Sequence, residues 1–223
     1  MEKSASSTPF IHGNNALLKV FMENLKQSIM LKKGEQFLPQ LYDTMICLIK
    51  KGRVKVALSN EEGEDKLMWF LNENCIISTF SKCFFQEIVA LEATEVLLID
   101  KVVFFDFIRS DQQYLDIFLN QIYRRYEYCI DSLLIQNKIN SKMKVYTLLQ
   151  QLGKLYGTVQ PDNSQYIKSF LTRNEMSSIT GVHRSNIIKY LTELERLDVI
   201  EKSGKVIIIK KPQLLDELIK AEE

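Results

Sequence analysis

The sequence is poor in the residues that usually build a reaction centre. Its 223 residues include only two histidines, His12 and His183, together with four cysteines and eight glycines. Cys47, Cys75, Cys83 and Cys129 stand far apart without a C-x-x-C pair, so neither a disulfide scaffold nor a zinc site is indicated. Free, mostly buried thiols are expected instead. No glycine-rich phosphate loop and no acidic pair in a motif can be read, which argues against an enzyme. No apolar run approaches the roughly 18 residues a membrane helix needs, and the polar start MEKSASSTPFIHGNN lacks a secretory core. A cytoplasmic protein that makes no membrane contact is expected. Net charge is nearly absent too, with 29 basic residues against 28 acidic ones.

What is present is an ordinary globular composition, 46% hydrophobic and 26% charged, enough for a sizeable core. The small net charge hides an uneven distribution: residues 141–211 carry twelve Lys and Arg against six Asp and Glu. The partner of a polyanion, if there is one, is the C-terminal part.

From about Ile29 to Asp100 short apolar or alternating runs (MICLIKK, RVKVALS, DKLMWFL, EVLLID) are separated by turn clusters at Gly34, Gly52 and Gly63. Regular short strands predict a sandwich or roll. Ahead of them, NALLKVFMENLKQSIM has helical spacing, and residues 1–15 are expected to be a flexible N-terminus. From Asp111 to about Asn137 neither Pro nor Gly interrupts the chain. Leu115, Leu119, Ile122, Tyr126, Cys129 and Leu133 recur there at intervals of four and three, a heptad seam suited to a two-chain coiled coil or, alternatively, to packing on the chain's own β domain.

A shorter helical stretch, SKMKVYTLLQQLGKLYG, precedes a polar loop with Pro161. Two helical patterns, Asn174–Thr180 and His183–Leu197, then meet at Gly181. Met176, Ile179, Val182, Ile187, Leu191 and Leu194 form the apolar side of the pair. Arg184, Ser185, Ile188 and Lys189 are left on one outward stripe of the second helix, able to enter a major groove. DVIEKSGKVIIIK reads as a hairpin turning at Ser203 and Gly204, with Lys202 and Lys205 at its tip. The result is a winged helix-turn-helix.

Residues 16–211 resemble the Crp/Fnr superfamily of bacterial transcription regulators, most specifically in LTRNEMSSITGVHRSNIIKYLTELERLDVI and more weakly in KKGE, KKGRVKV and ALEATEVLLID. The resemblance implies an α+β chain: an N-terminal antiparallel β-roll, jelly-roll-like and similar to cyclic-nucleotide-binding domains, over 16–110; a dimerisation helix over 111–137; and a winged helix-turn-helix over 141–223. It further implies a homodimer on a palindromic site in double-stranded DNA, with RNA polymerase as a further partner. Arg184 and Lys189 fall where the family reads bases, and Thr172, Arg173 and Asn174 where it anchors phosphates; His183 opens the same helix. Where the family commonly has a glutamate that accepts from a cytosine amino group, this chain has Ser185. With Ile188 beside it, a thymine methyl contact and an A/T-rich half-site are expected.

Members that bind cyclic AMP carry F-G-E followed by R-S or R-T, and CIISTFSKCFFQEIV has neither an F-G-E nor any glycine or arginine. The cysteine spacing of iron-sulfur members is absent, and neither histidine suits haem. An unidentified small effector is expected instead, with Trp69, Phe80, Phe84, Phe85 and Tyr126 as apolar walls. In layout the chain is similar to the chlorophenol-responsive halorespiration regulators, whose long helix carries a basic residue that meets the ligand's phenolate; Arg125 aligns with it. The alternative is a regulator without a diffusible ligand, constitutive or switched by oxidation of Cys47, Cys75, Cys83 or Cys129.

Overall fold

The computed structural model describes residues 8–59, 65–77, 85–135, 140–168, 171–204 and 206–221. The chain divides into two compact units, Met1–Ser132 and Leu133–Glu223.

In the first unit the elements are, in chain order, β1 (Phe10–Ile11), α1 (Asn15–Glu23), β2 (Gln27–Leu31), β3 (Gln36–Phe37), β4 (Met45–Lys51), β5 (Val54–Ser59), β6 (Asp65–Leu71), β7 (Phe85–Ala90), β8 (Thr94–Asp100), α2 (Lys101–Ser110) and α3 (Gln112–Ile135). They form a five-stranded sheet, β1-β6-β5-β7-β3, and a three-stranded sheet, β2-β8-β4. All described pairings are antiparallel except β1 with β6. The run MICLI in β4 is buried on both faces, which explains its unbroken apolar character. Cys47 and Ile49 join Val54, Val56, Trp69 and Ile88 between the sheets. Ile46 and Leu48 point the other way, to a cluster with Leu17, Val20 and Phe21 of α1, Phe104 and Ile108 of α2 and Phe118 of α3. Phe104 is central there, its ring 5.8 Å from Phe21 and 5.5 Å from Phe118.

Three expectations need correction. The first helix stops at Glu23, because Asn24 caps it by donating from its backbone N–H and Nδ2 to the Val20 carbonyl; Gln27–Leu31 then pairs with β8. Residues 10 and 11, expected in a flexible terminus, are buried as β1, with Phe10 stacked on Phe70. The roll does not run unbroken to residue 110 either: α2 intervenes, and Asp111 restarts the helix by accepting from the Gln113 N–H at 2.8 Å. Asparagine and aspartate end and begin helices in this way because their side chains compete for backbone donors and acceptors. At 24 residues α3 is about 36 Å long.

The second unit holds α4 (Ser141–Tyr156), β9 (Thr158–Val159), β10 (Gln165–Lys168), α5 (Arg173–Thr180), α6 (Arg184–Arg196), β11 (Ile200–Ser203), β12 (Val206–Ile209) and α7 (Pro212–Ala221). The expected two-stranded hairpin is part of a four-stranded antiparallel sheet, β11-β12-β10-β9. The loop around Pro161 is itself a hairpin turn between β9 and β10. Helix α4 beds closely on this sheet at Gly153, where a Cβ would collide with Gln165 Oε1 and lie 2.8 Å from Ile209 Cδ1.

Candidate nucleic-acid interface and effector site

Local chemistry builds the α5–α6 pair. Thr172 caps α5: its hydroxyl accepts from the Glu175 N–H at 3.2 Å while the Glu175 carboxylate accepts from the Thr172 N–H at 2.7 Å, a reciprocal capping box. Gly181 turns the corner at φ +66°, the left-handed region where a side chain would be strained. His183 caps α6 through Nδ1, which accepts from the Ser185 N–H at 3.4 Å and lies 2.7 Å from Ser185 Oγ. Met176, Val182, Ile187, Leu191 and Leu194 are buried as expected, and Ile179 only partly. Thr172, Arg173, Asn174, His183, Arg184, Ser185, Ile188 and Lys189 are all exposed. The structure thus gathers the expected stripe on the opening turns of α6 and the start of α5.

Electrostatics favour the same face. Glu193 pairs with Lys142 at 2.7 Å, Glu195 with Lys202 at 2.7 Å, and Asp198 with both Lys210 and Lys211 at 2.7 and 3.0 Å. The hydrogen bonds from the two lysines hold the Asp198 carboxyl below its ordinary pKa. Glu193, Glu195 and Asp198 are thus drawn onto lysines away from the stripe, and among the described residues Arg173, Arg184 and Lys189 have no carboxylate partner. At the wing, Lys202 pairs with Glu195. Lys205 lies outside the described residues.

In the first unit α3 is stitched to the segment after β6. Gln121 accepts from the Ile76 N–H and donates to the Asn74 carbonyl, both at 3.1 Å. Arg125 donates from Nη2 to the Ile76 carbonyl. Its Nε is buried without a hydrogen-bond partner, and no carboxylate pairs with it among the described residues. Burial lowers its pKa, although the Cys75 sulfur opposes this. Trp69 is buried, with its Nε1 likewise unpartnered. Tyr126 is 62% exposed, so it does not wall the roll as expected. Tyr128, buried two positions on, takes that place in the core beside Trp69 and Cys75. Phe80 and Phe84 lie outside the described residues, and for Phe85 only the backbone, the first residue of β7, is described.

The expected seam of α3 is divided. Leu115, Tyr126 and Leu133 are exposed at 38%, 62% and 63%, whereas Leu119, Ile122 and Cys129 pack partly against the unit's own clusters.

Cys47 and Cys75 are buried and Cys129 partly so, and Cys83 lies outside the described residues. Burial pushes the Cys75 thiol up to about 11 and raises that of Cys129. A thiolate is the reactive form. Iodoacetamide at neutral pH should therefore leave Cys47 and Cys75 unlabelled in the folded chain and label both in denaturant, read by peptide mass spectrometry. Rapid native labelling of Cys75 would instead support a thiol switch.

Residues 144–218 match the Crp-like helix-turn-helix domain family. Most of the chain is similar in fold to solved structures: a structure of OCPA-complexed CprK, with a TM-score of 0.66 at 19% identity over 96% of this chain and 100% of that one; a CooA mutant from Carboxydothermus hydrogenoformans, with 0.72 at 17% over 89% of each; and FixK2 from Bradyrhizobium japonicum, with 0.70 at 14% over 86% and 96%. No curated protein matches the chain by sequence. Residues 144–218 thus form a Crp-like helix-turn-helix domain, and the chain as a whole shares the fold of these solved structures. Among the described residues no helix is long and apolar enough to cross a membrane.

Proposed function

We propose that the chain acts as a homodimer that binds a palindromic DNA site through α6, under the control of a small effector other than a cyclic nucleotide. The observation that carries the DNA reading is the set of cations at the α5 and α6 N-termini, Arg173, Arg184 and Lys189, left uncompensated while neighbouring lysines are paired. A two-fold dimer presents two such helices to half-sites one helical turn apart. Arg184→Ala should cost about 1–3 kcal/mol of operator affinity and relax preference at one base pair. Equal losses on operator and random DNA would make Arg184 a phosphate contact.

Arg125 supports the effector reading. A half-buried guanidinium whose Nε has no hydrogen-bond partner and which meets no carboxylate among the described residues is costly, and an anionic, largely apolar ligand meeting Arg125 would relieve that cost. A ligand changes DNA affinity only through its differential affinity for two states of the regulator. Aromatic acids should tighten operator binding by the wild type but not by Arg125→Ala, whose ligand-free DNA binding stays unchanged. Calorimetry should detect no binding of cyclic AMP or cyclic GMP; micromolar affinity for either would overturn this reading.

A further inference from the structure

The most specific unassigned feature of the DNA-facing surface is the contact between His183 and Ser185. A serine hydroxyl can donate or accept, so on its own it reads bases ambiguously. A neighbouring imidazole of fixed tautomer removes the ambiguity. A neutral His183 whose Nδ1 caps α6 by accepting from the Ser185 N–H at 3.4 Å carries its ring proton on Nε2. The same Nδ1 lies 2.7 Å from Ser185 Oγ, and in the Nε2-protonated tautomer the hydroxyl is the donor. Its single proton is thereby committed, and only the oxygen lone pairs remain for the groove.

We infer that His183 is a positioning residue that fixes Ser185 as a hydrogen-bond acceptor, so that Ser185 reads the exocyclic amino group of adenine or cytosine in the major groove. This rests on the assignment of α6 as the reading helix and replaces the thymine-methyl contact expected for Ser185. Ile188, exposed one turn along, is left for that methyl. Both contacts are available on neighbouring A·T pairs, since adenine presents its N6 amino group and thymine its methyl in the same groove. A serine held in this way performs at short reach the accepting role of the glutamate in the resembling family.

The test uses the full-length protein and a randomised DNA pool at neutral pH. The pair whose preference vanishes in Ser185→Ala is the Ser185 position. Its adenine or cytosine is then replaced by the analogue lacking the amino group, purine or pyrimidin-2-one. Wild-type affinity should fall on the order of 5- to 10-fold, with no change for Ser185→Ala. Removing the purine N7 acceptor at that pair should cost nothing. His183→Gly keeps a tolerated cap residue but loses the imidazole, so it should become insensitive to amino removal while retaining its preference at the Arg184 position; His183→Asn, which keeps an acceptor at the cap, should recover the sensitivity. A mere stability role for His183 would lower affinity for all sequences alike and would overturn the inference. So would sensitivity to acceptor or thymine-methyl removal in place of amino removal, or an amino response unchanged in His183→Gly. A pool that yields no enriched sequence would sink the α6 assignment itself, whereas an enriched palindrome indifferent to the amino group sinks only the acceptor assignment.

Discussion

Tyr126→Glu combined with Leu133→Glu is expected to convert the protein to monomers and to weaken operator binding by about 10²- to 10⁴-fold, the advantage lost when two linked half-site contacts become one. Both side chains are more than 60% exposed on α3, so within one chain the substitutions should change stability little. Across a dimer seam the same carboxylates would be buried without partners, at a cost of several kcal/mol each. The pair is a better choice than Ile122, which packs partly against its own unit and whose loss would mix folding with association. Solution mass, far-UV spectra and binding to a single half-site separate the effects. A double variant that remains dimeric would move the two-fold contact elsewhere.

Phe104→Ala should be the most destabilising single truncation in the first unit, by about 3–5 kcal/mol. The side chain is fully buried at the meeting point of α1, α2, α3 and the outer face of the three-stranded sheet, and its ring contacts with Phe21, Phe105 and Phe118 are all edge-on or tilted. Its ring neighbours are large aromatic side chains on three different helices, so the space is expected to close only partly. Against a typical domain stability of about 5–15 kcal/mol, the loss should appear as a large drop in urea midpoint at unchanged slope. A change below about 1 kcal/mol would mean that the cluster relaxes around the cavity.

The helix-turn-helix is legible in the sequence because its determinants are local. Gly181 at the corner, the T-x-x-E of Thr172 and Glu175, and the apolar spacing of Ile187, Leu191 and Leu194 lie within a few residues of the structure they specify. The N-terminal boundary is not, because QSIML keeps helical spacing with the preceding helix and only its pairing with β8, some seventy residues away, makes it a strand. Partner selection overrides local preference there. On α3 the difficulty is one of frame: Tyr114, Phe118, Gln121, Arg125 and Tyr128 repeat at the same four-three intervals as the expected seam, one position earlier, and spacing does not say which stripe meets the roll. That shift is why the sequence points to Tyr126 as a pocket wall and passes over Tyr128. The compensation of Lys202 by Glu195 and the commitment of the Ser185 hydroxyl to His183 are side-chain events that a charge count cannot reveal.

The glycine-close seating of α4 on β10 and β12 has a consequence for how the C-terminal unit opens. At Gly153 helix and sheet lie so close that a Cβ would meet Gln165 and Ile209, and their separation is expected to expose the buried Ile209. Amide exchange in α4 and in the sheet should therefore follow a single opening event, with α5 and α6 protected to the same degree because they pack on α4. A reading head that is either wholly formed or wholly open meets DNA in one shape.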